Sequence, residues 1–292
     1  MKMNSKSAPS PDSGEKKKWV NPFRFTSLFK PMVYMVIFCI AYAFGYLSFI
    51  NISAGMNQIA ALFCGALILS VFGVALYFVC TLVWGKKRAT LGAKKIAHVW
   101  LVCLALALFT SFGIGPLAYA GGNTLMLITG AVLGLVMLLF ALPTLILFFH
   151  AAYSGYESWN DQILAVMDYW KSNPMRIINY WLVIFLIMYL WDNMLAGPLY
   201  SAGAFDAPAL FSNLMYLSQP GTFTILLLMN GTAEVTELVM LTTMGAIIMV
   251  FLACNTISWI GHVCRAAELT SLKAVKETKS EKTDKIRKKN QK

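Results

Sequence analysis

The stretch 137-MLLFALPTLILFFHAAYSGYESWNDQILAVMDYWKSNPMRIINYWLVIFLIMYL-190 decides the fold. It holds an apolar run ending at His150, a mixed-charge turn from Gly155 to Arg176, and a second apolar run beginning at Ile177. Neither run contains an Asp, Glu, Lys or Arg, so neither has the polar face that a surface helix of a soluble protein needs. The turn between them gathers carboxylates and basic groups, next to His150, between two helices suited to lipid.

The same pattern extends outward from this stretch. No charged residue lies between Lys30 and Lys86, and none between Lys95 and Glu157. Each run accommodates two membrane helices of about 20 residues with a short turn. A chain of 292 residues that is 58% hydrophobic and 13% charged, with a mean hydropathy of +0.65, is too apolar for a soluble domain of that size. The expectation is an all-α integral membrane protein with six transmembrane helices and a short amphipathic interfacial helix between spans four and five.

The spans are placed at Pro31 to Ile50, Ile59 to Trp84, Ile96 to Leu117, Leu125 to Tyr153, Ile177 to Leu195 and Val235 to Cys264. Three divisions follow. Residues 1–30 form a disordered Ser-, Pro- and Lys-rich tail plus an interfacial segment from Trp19 to Phe29, residues 31–264 the six-helix domain, and residues 265–292 a basic tail. The first apolar run begins too far from the N-terminus for a cleaved signal peptide, so span one is expected to serve as an uncleaved anchor. The apolar run Phe223 to Met229 is too short to cross and is broken by Asn230-Gly231, which suggests a re-entrant or surface piece. Thr232 is the expected N-cap of span six, with Glu234 and Glu237 in the positive end of its dipole.

In this arrangement all 24 Lys and Arg fall on one side, and the other carries only Asp192, Asp206, Glu234 and Glu237. The positive-inside rule then places both termini in the cytoplasm, with Trp84, Trp100, Trp159, Trp170 and Trp259 near the inner interface. Either a bacterial inner membrane or a eukaryotic membrane fits. The basic tails point to anionic lipid headgroups as partners, at about 1 kcal/mol per basic residue near the surface. Nucleic acid is excluded as a partner, because the basic tail has neither stacking aromatics nor a folded module.

In the central turn, Ile163, Val166, Met167 and Trp170 fall at i, i+3, i+4 and i+7, predicting a short helix with that apolar face. Ser158 or Asn160 caps it and Asn173-Pro174 stops it. Span four carries Gly130 and Gly134 in a small-xxx-small pattern that permits close helix packing, and Pro143, which predicts a kink. Asn21-Pro-Phe-Arg-Phe before span one echoes Asn173-Pro-Met-Arg-Ile before span five, a similarity too short to establish a repeat.

Three kinds of chemistry are weighed. Glu157, Asp161 and Asp168 beside His150 supply carboxylates for acid–base work at a lipid headgroup, but no phosphate loop, HExxH or paired aspartate motif accompanies them. His98, His150 and His262 map to inner helix ends with Cys80, Cys103 and Cys264, ligand types that suit zinc or copper, yet no spacing is tighter than His262-Val-Cys264. No metal or other cofactor is expected. All six cysteines, Cys39 and Cys64 among them and Cys254 in span six, lie in or at the edge of spans, so a disulfide framework is not expected.

A carrier usually keeps a charge at mid-membrane depth, and these span cores have none. Ser70, Thr110, Ser111, Thr144, Asn255 and Thr256 remain as polar positions, with Asn255 and Thr256 the candidates for lining a cavity. The sequence therefore points to a non-enzymatic structural or accessory subunit of a membrane complex, bound to a membrane-protein partner or to a second copy. A channel or carrier for an uncharged solute or lipid is the alternative, and a membrane-embedded enzyme acting at the cytoplasmic face ranks third.

Overall fold

The computed structural model describes residues 25–53, 55–85, 92–114, 124–191 and 236–289, and among these there is no strand. Eight α-helices follow in order: α1 Phe25–Ser53, α2 Gln58–Trp84, α3 Ala93–Phe109, α4 Thr124–Val136, α5 Leu142–Tyr153, α6 Trp159–Ser172, α7 Pro174–Leu190 and α8 Thr236–Lys289. A π-turn, Thr110–Ile114, extends α3, and a second, Met137–Ala141, joins α4 to α5. Among the described residues, four stretches are long and apolar enough to cross a membrane: Gln58–Trp84, Ala93–Gly113, Thr124–Tyr153 and Met244–Thr270. Two shorter apolar stretches lie in α1 and α7, at Phe29–Tyr42 and Pro174–Ile187. The protein is thus an apolar helical bundle of the membrane type.

The helix bounds follow the sequence closely in the middle of the chain and depart from it at the ends. α1 begins at Phe25 and runs through Pro31, so residues 25–30, expected in an interfacial segment, are continuous with the first apolar helix. Expected span six and the basic tail are one helix: α8 continues without a break to Lys289. The N-terminal tail before residue 25, the turn 86–91, the run 223–229 and the Thr232 cap lie outside the described residues.

The π-turn Met137–Ala141 has a plain cause. A proline lacks the N–H that closes an α-turn, and its ring collides with the carbonyl four residues back; a widened turn relieves both. Pro143 lies just inside α5, immediately after the π-turn Met137–Ala141. A π-turn therefore stands just before Pro143, where the sequence predicts a kink.

α8 is the hub, touching α1, α2, α5, α6 and α7. The core is built where these helices meet, from Tyr77, Cys80, Phe149, Ile177, Cys254 and Ile260. In lipid, helix association depends on close packing more than on removing apolar surface from water, and two glycines set that packing. A Cβ on Gly73 would stand 2.6 Å from Cys103 Sγ, and one on Gly261 would stand 2.3 Å from Trp84 Nε1. Gly130 and Gly134 are both buried, while Leu125, Val132 and Val136 on α4 are exposed.

Tryptophans act as staples between helices. Trp100 Nε1 donates to Ser70 Oγ at 3.0 Å, joining α3 to α2, and Trp170 Nε1 donates to Thr144 Oγ1 at 3.0 Å, joining α6 to α5. Trp84 Nε1 donates to Ile257 O at 2.8 Å, joining α2 to α8. Trp259 of α8 stacks on Tyr180 of α7 with ring centroids 4.3 Å apart.

Candidate functional site

Polar chemistry collects at the end of the bundle where α2 and α5 stop, α3 begins and α6 crosses. α5 ends when Ser154 N–H donates to His150 O and the chain turns at Gly155, whose φ of +102° requires a residue without a Cβ. Gly85, at φ +99°, ends α2 in the same way. Tyr153 donates its hydroxyl to Gly85 O, tying the two turns together.

α6 occupies the expected position, begins after Ser158 and stops at Asn173. Its buried face differs from the expected one. Gln162, Ala165, Val166 and Tyr169 are buried, whereas Ile163 is 39% and Met167 48% exposed. Each buried position lies one residue before the expected set, so the helix is turned by about 100°. The cause is hydrogen bonding, which apolar periodicity does not register. Gln162 Nε2 donates to Tyr156 O at 2.9 Å, and its Oε1 lies 3.2 Å from His98 Nδ1, a contact that needs the Nδ1–H tautomer of His98. Ser158 supplies the N-cap position, but its side chain makes no capping bond.

At the centre is His150, 5% exposed. Trp84, Tyr169 and Tyr153 surround its ring, with centroids at 5.0, 5.7 and 6.0 Å. Its Nδ1 lies 3.2 Å from Ser154 Oγ and 3.8 Å from Glu268 Oε1. Tyr169 donates to the same Glu268 oxygen at 2.6 Å, a length typical of a bond to a carboxylate. Burial, and then the neighbouring Glu268 carboxylate, push the Tyr169 phenol well above its ordinary range, so it stays a donor. Tyr156 is pushed up for the same two reasons. The cluster ties α8 to α5 and α6.

The sequence-derived candidates divide sharply at this end. His150 is brought into the cluster. Glu157, Asp161 and Asp168 are exposed, and none pairs with it among the bonds found. The carboxylate that reaches His150 is Glu268, which the sequence assigned to the basic tail. A buried histidine signals that a partner must exist, but its origin 118 residues away (268 − 150) is set by packing alone. His98 belongs to the Gln162 and Trp159 contacts, His262 is exposed, and Cys264 is buried on α8. Among the described residues, no three of His, Cys, Asp and Glu are grouped closely enough to hold a metal ion.

In the spans, Ser70, Thr110, Thr144 and Thr256 donate to carbonyls of their own helices, at Leu67, Leu106, Phe140 and Leu252. Asn255 is fully buried with both amide atoms unpartnered, and Thr256 is 1% exposed. A groove of about 520 Å³ lies elsewhere, between α1 and α2, and is lined by Gly45, Ser48, Phe49, Ile52, Cys64 and Leu67 among others. No protein-family model, curated protein or solved structure matches this chain.

Proposed function

We propose that this chain is a non-catalytic structural or accessory subunit of a membrane complex. The observation that carries the reading is uneven packing. In the most apolar stretch of α8, 56% of residues are buried within the chain, against 11% in α2 and 17% in α3. The helices are pinned together around His150 and Glu268, while α1 and α2 part into an apolar groove at Gly45, Ser48 and Cys64. Its lining, with Phe49, Ile52 and Leu67, offers an apolar surface on which a neighbouring helix can pack. The occupant in this reading is a transmembrane helix of a partner protein or of a second copy.

Six spans with both termini in the cytoplasm form part of the same reading. The four long apolar stretches, together with α1 and α7, make up the count, and the segregation of all 24 Lys and Arg supports the orientation. α6 then lies along the inner interface, and the basic tails lie over anionic headgroups. Site-specific crosslinking from Ser48→Cys and Ile52→Cys in native membranes tests the partner claim. A discrete adduct with another polypeptide or a second copy is expected; adducts with lipid alone contradict it.

A further inference from the structure

α6 buries Gln162, Ala165, Val166 and Tyr169 and turns the opposite face outward. That face carries Asp161, Leu164, Asp168 and Lys171, at i, i+3, i+7 and i+10, all exposed, with Met167 exposed on its flank. Glu157 is exposed in the turn just before the helix. Among the described residues, no ion pair reaches Glu157, Asp161 or Asp168. The face is thus net acidic and partly apolar, on a chain whose net charge is +11.

The N-terminal segment of the same chain has the complementary composition. Before α1 the sequence holds Lys2, Lys6, Lys16, Lys17, Lys18 and Arg24 against Asp12 and Glu15, with Trp19 and Phe23 beside the last basic groups. The segment joins the bundle at the end where α6 lies. α1 and α2 form a hairpin, so α1 starts where α2 stops, and there Tyr153 meets Gly85. α1 touches α8 and α8 touches α6, and with neighbouring axes about 8–10 Å apart, α1 and α6 lie within about 20 Å of each other. Lys18 precedes Phe25 by seven residues (25 − 18) and Lys16 by nine (25 − 16), which gives an extended chain a reach of about 23–30 Å. Tethering keeps such a segment at high local concentration, so ion pairs that are individually weak at a surface act together.

We propose that the exposed face of α6 is the docking surface for residues 16–24 of the same chain, with the three lysines over Asp161 and Asp168 and the aromatic residues over the apolar flank at Leu164 and Met167. The contact is intramolecular and stands apart from the subunit reading. In that reading α6 lies along the inner interface, so a segment docked on it stays at the level of the headgroups.

Zero-length coupling of the full chain in its native membrane tests the contact. A water-soluble carbodiimide joins a lysine amine to a carboxylate in direct contact, with loss of water, and peptide mass spectrometry reads the pair. Lys16, Lys17 or Lys18 joined to Asp161 or Asp168 is the expected product. In vesicles holding both isotopically light and heavy chains, the joined peptides are expected to be all light or all heavy. Mixed pairs assign the contact to a second copy, coupling to other lysines or to another polypeptide assigns the face elsewhere, and absence of coupling leaves it to solvent; each overturns the proposal. Acetylation of the same lysines gives a second measure. At low salt, Asp161→Asn combined with Asp168→Asn is expected to raise the rates at Lys16, Lys17 and Lys18 several-fold and to leave those at Lys2 and Lys6 unchanged. Equal rates in the two proteins overturn the proposal, and rates that rise only when anionic lipid is removed assign the segment to headgroups instead.

Discussion

Glu268 accepts the Tyr169 hydroxyl at 2.6 Å and stands 3.8 Å from His150 Nδ1, so one carboxylate serves two other helices. Removing it in Glu268→Ala takes the acceptor from a buried phenol, at a cost of roughly 1.5–3 kcal/mol for a hydrogen bond to a charged group. The expected result is a clear drop in Tm, with Glu268→Gln intermediate; equal melting of all three proteins contradicts the assignment. A pH dependence follows from Tyr169. Its folded pKa is raised above that of the unfolded chain, so its contribution is complete below the unfolded value of about 10 and is lost as pH rises beyond it. Tm against pH is expected to fall more steeply above pH 10 in the wild type than in Tyr169→Phe, and parallel curves contradict this. Sequence reading finds His150 because it stands at the end of an apolar run. It misses Glu268, Tyr169 and Gln162, because a buried hydrogen-bonding residue looks like any other polar residue until its neighbours are known.

At the scale of elements, the positions of α2, α4 to α5 and α6 are legible in the sequence because apolar runs and their breakers mark them. The rotation of α6 is not legible. Ile163, Val166, Met167 and Trp170 make the better apolar stripe, yet the helix buries the stripe that carries Gln162 and Tyr169. Ile163, Leu164 and Met167 form the exposed flank. Gln162→Ala is therefore expected to lower Tm more than Met167→Ala, the reverse of what the apolar pattern implies; the opposite order in a thermal melt contradicts the observed register. Two further elements turn on single residues. Gly261→Ala drives a methyl into the Trp84 indole and breaks its bond to Ile257 O, at a cost typical of overpacking, about 1–3 kcal/mol. Pro143→Ala lets the widened turn Met137–Ala141 close into a regular helix and rotates α4 away from its packed Gly130 and Gly134 face. Its Tm is expected to fall although alanine is the better helix former, and a rise contradicts the role given to the π-turn.

At the scale of the whole molecule, packing is uneven. The bundle is pinned at His150 and Glu268, while the apolar stretches of α2 and α3 are little buried within the chain. In the subunit reading those stretches belong to an assembly. The most direct test is a native mass spectrum of the protein released gently from its own membrane. A stoichiometric complex with another membrane protein, or a defined oligomer of this chain, is the predicted result. A lone chain carrying only lipid, across detergents mild enough to preserve known membrane complexes, contradicts the account.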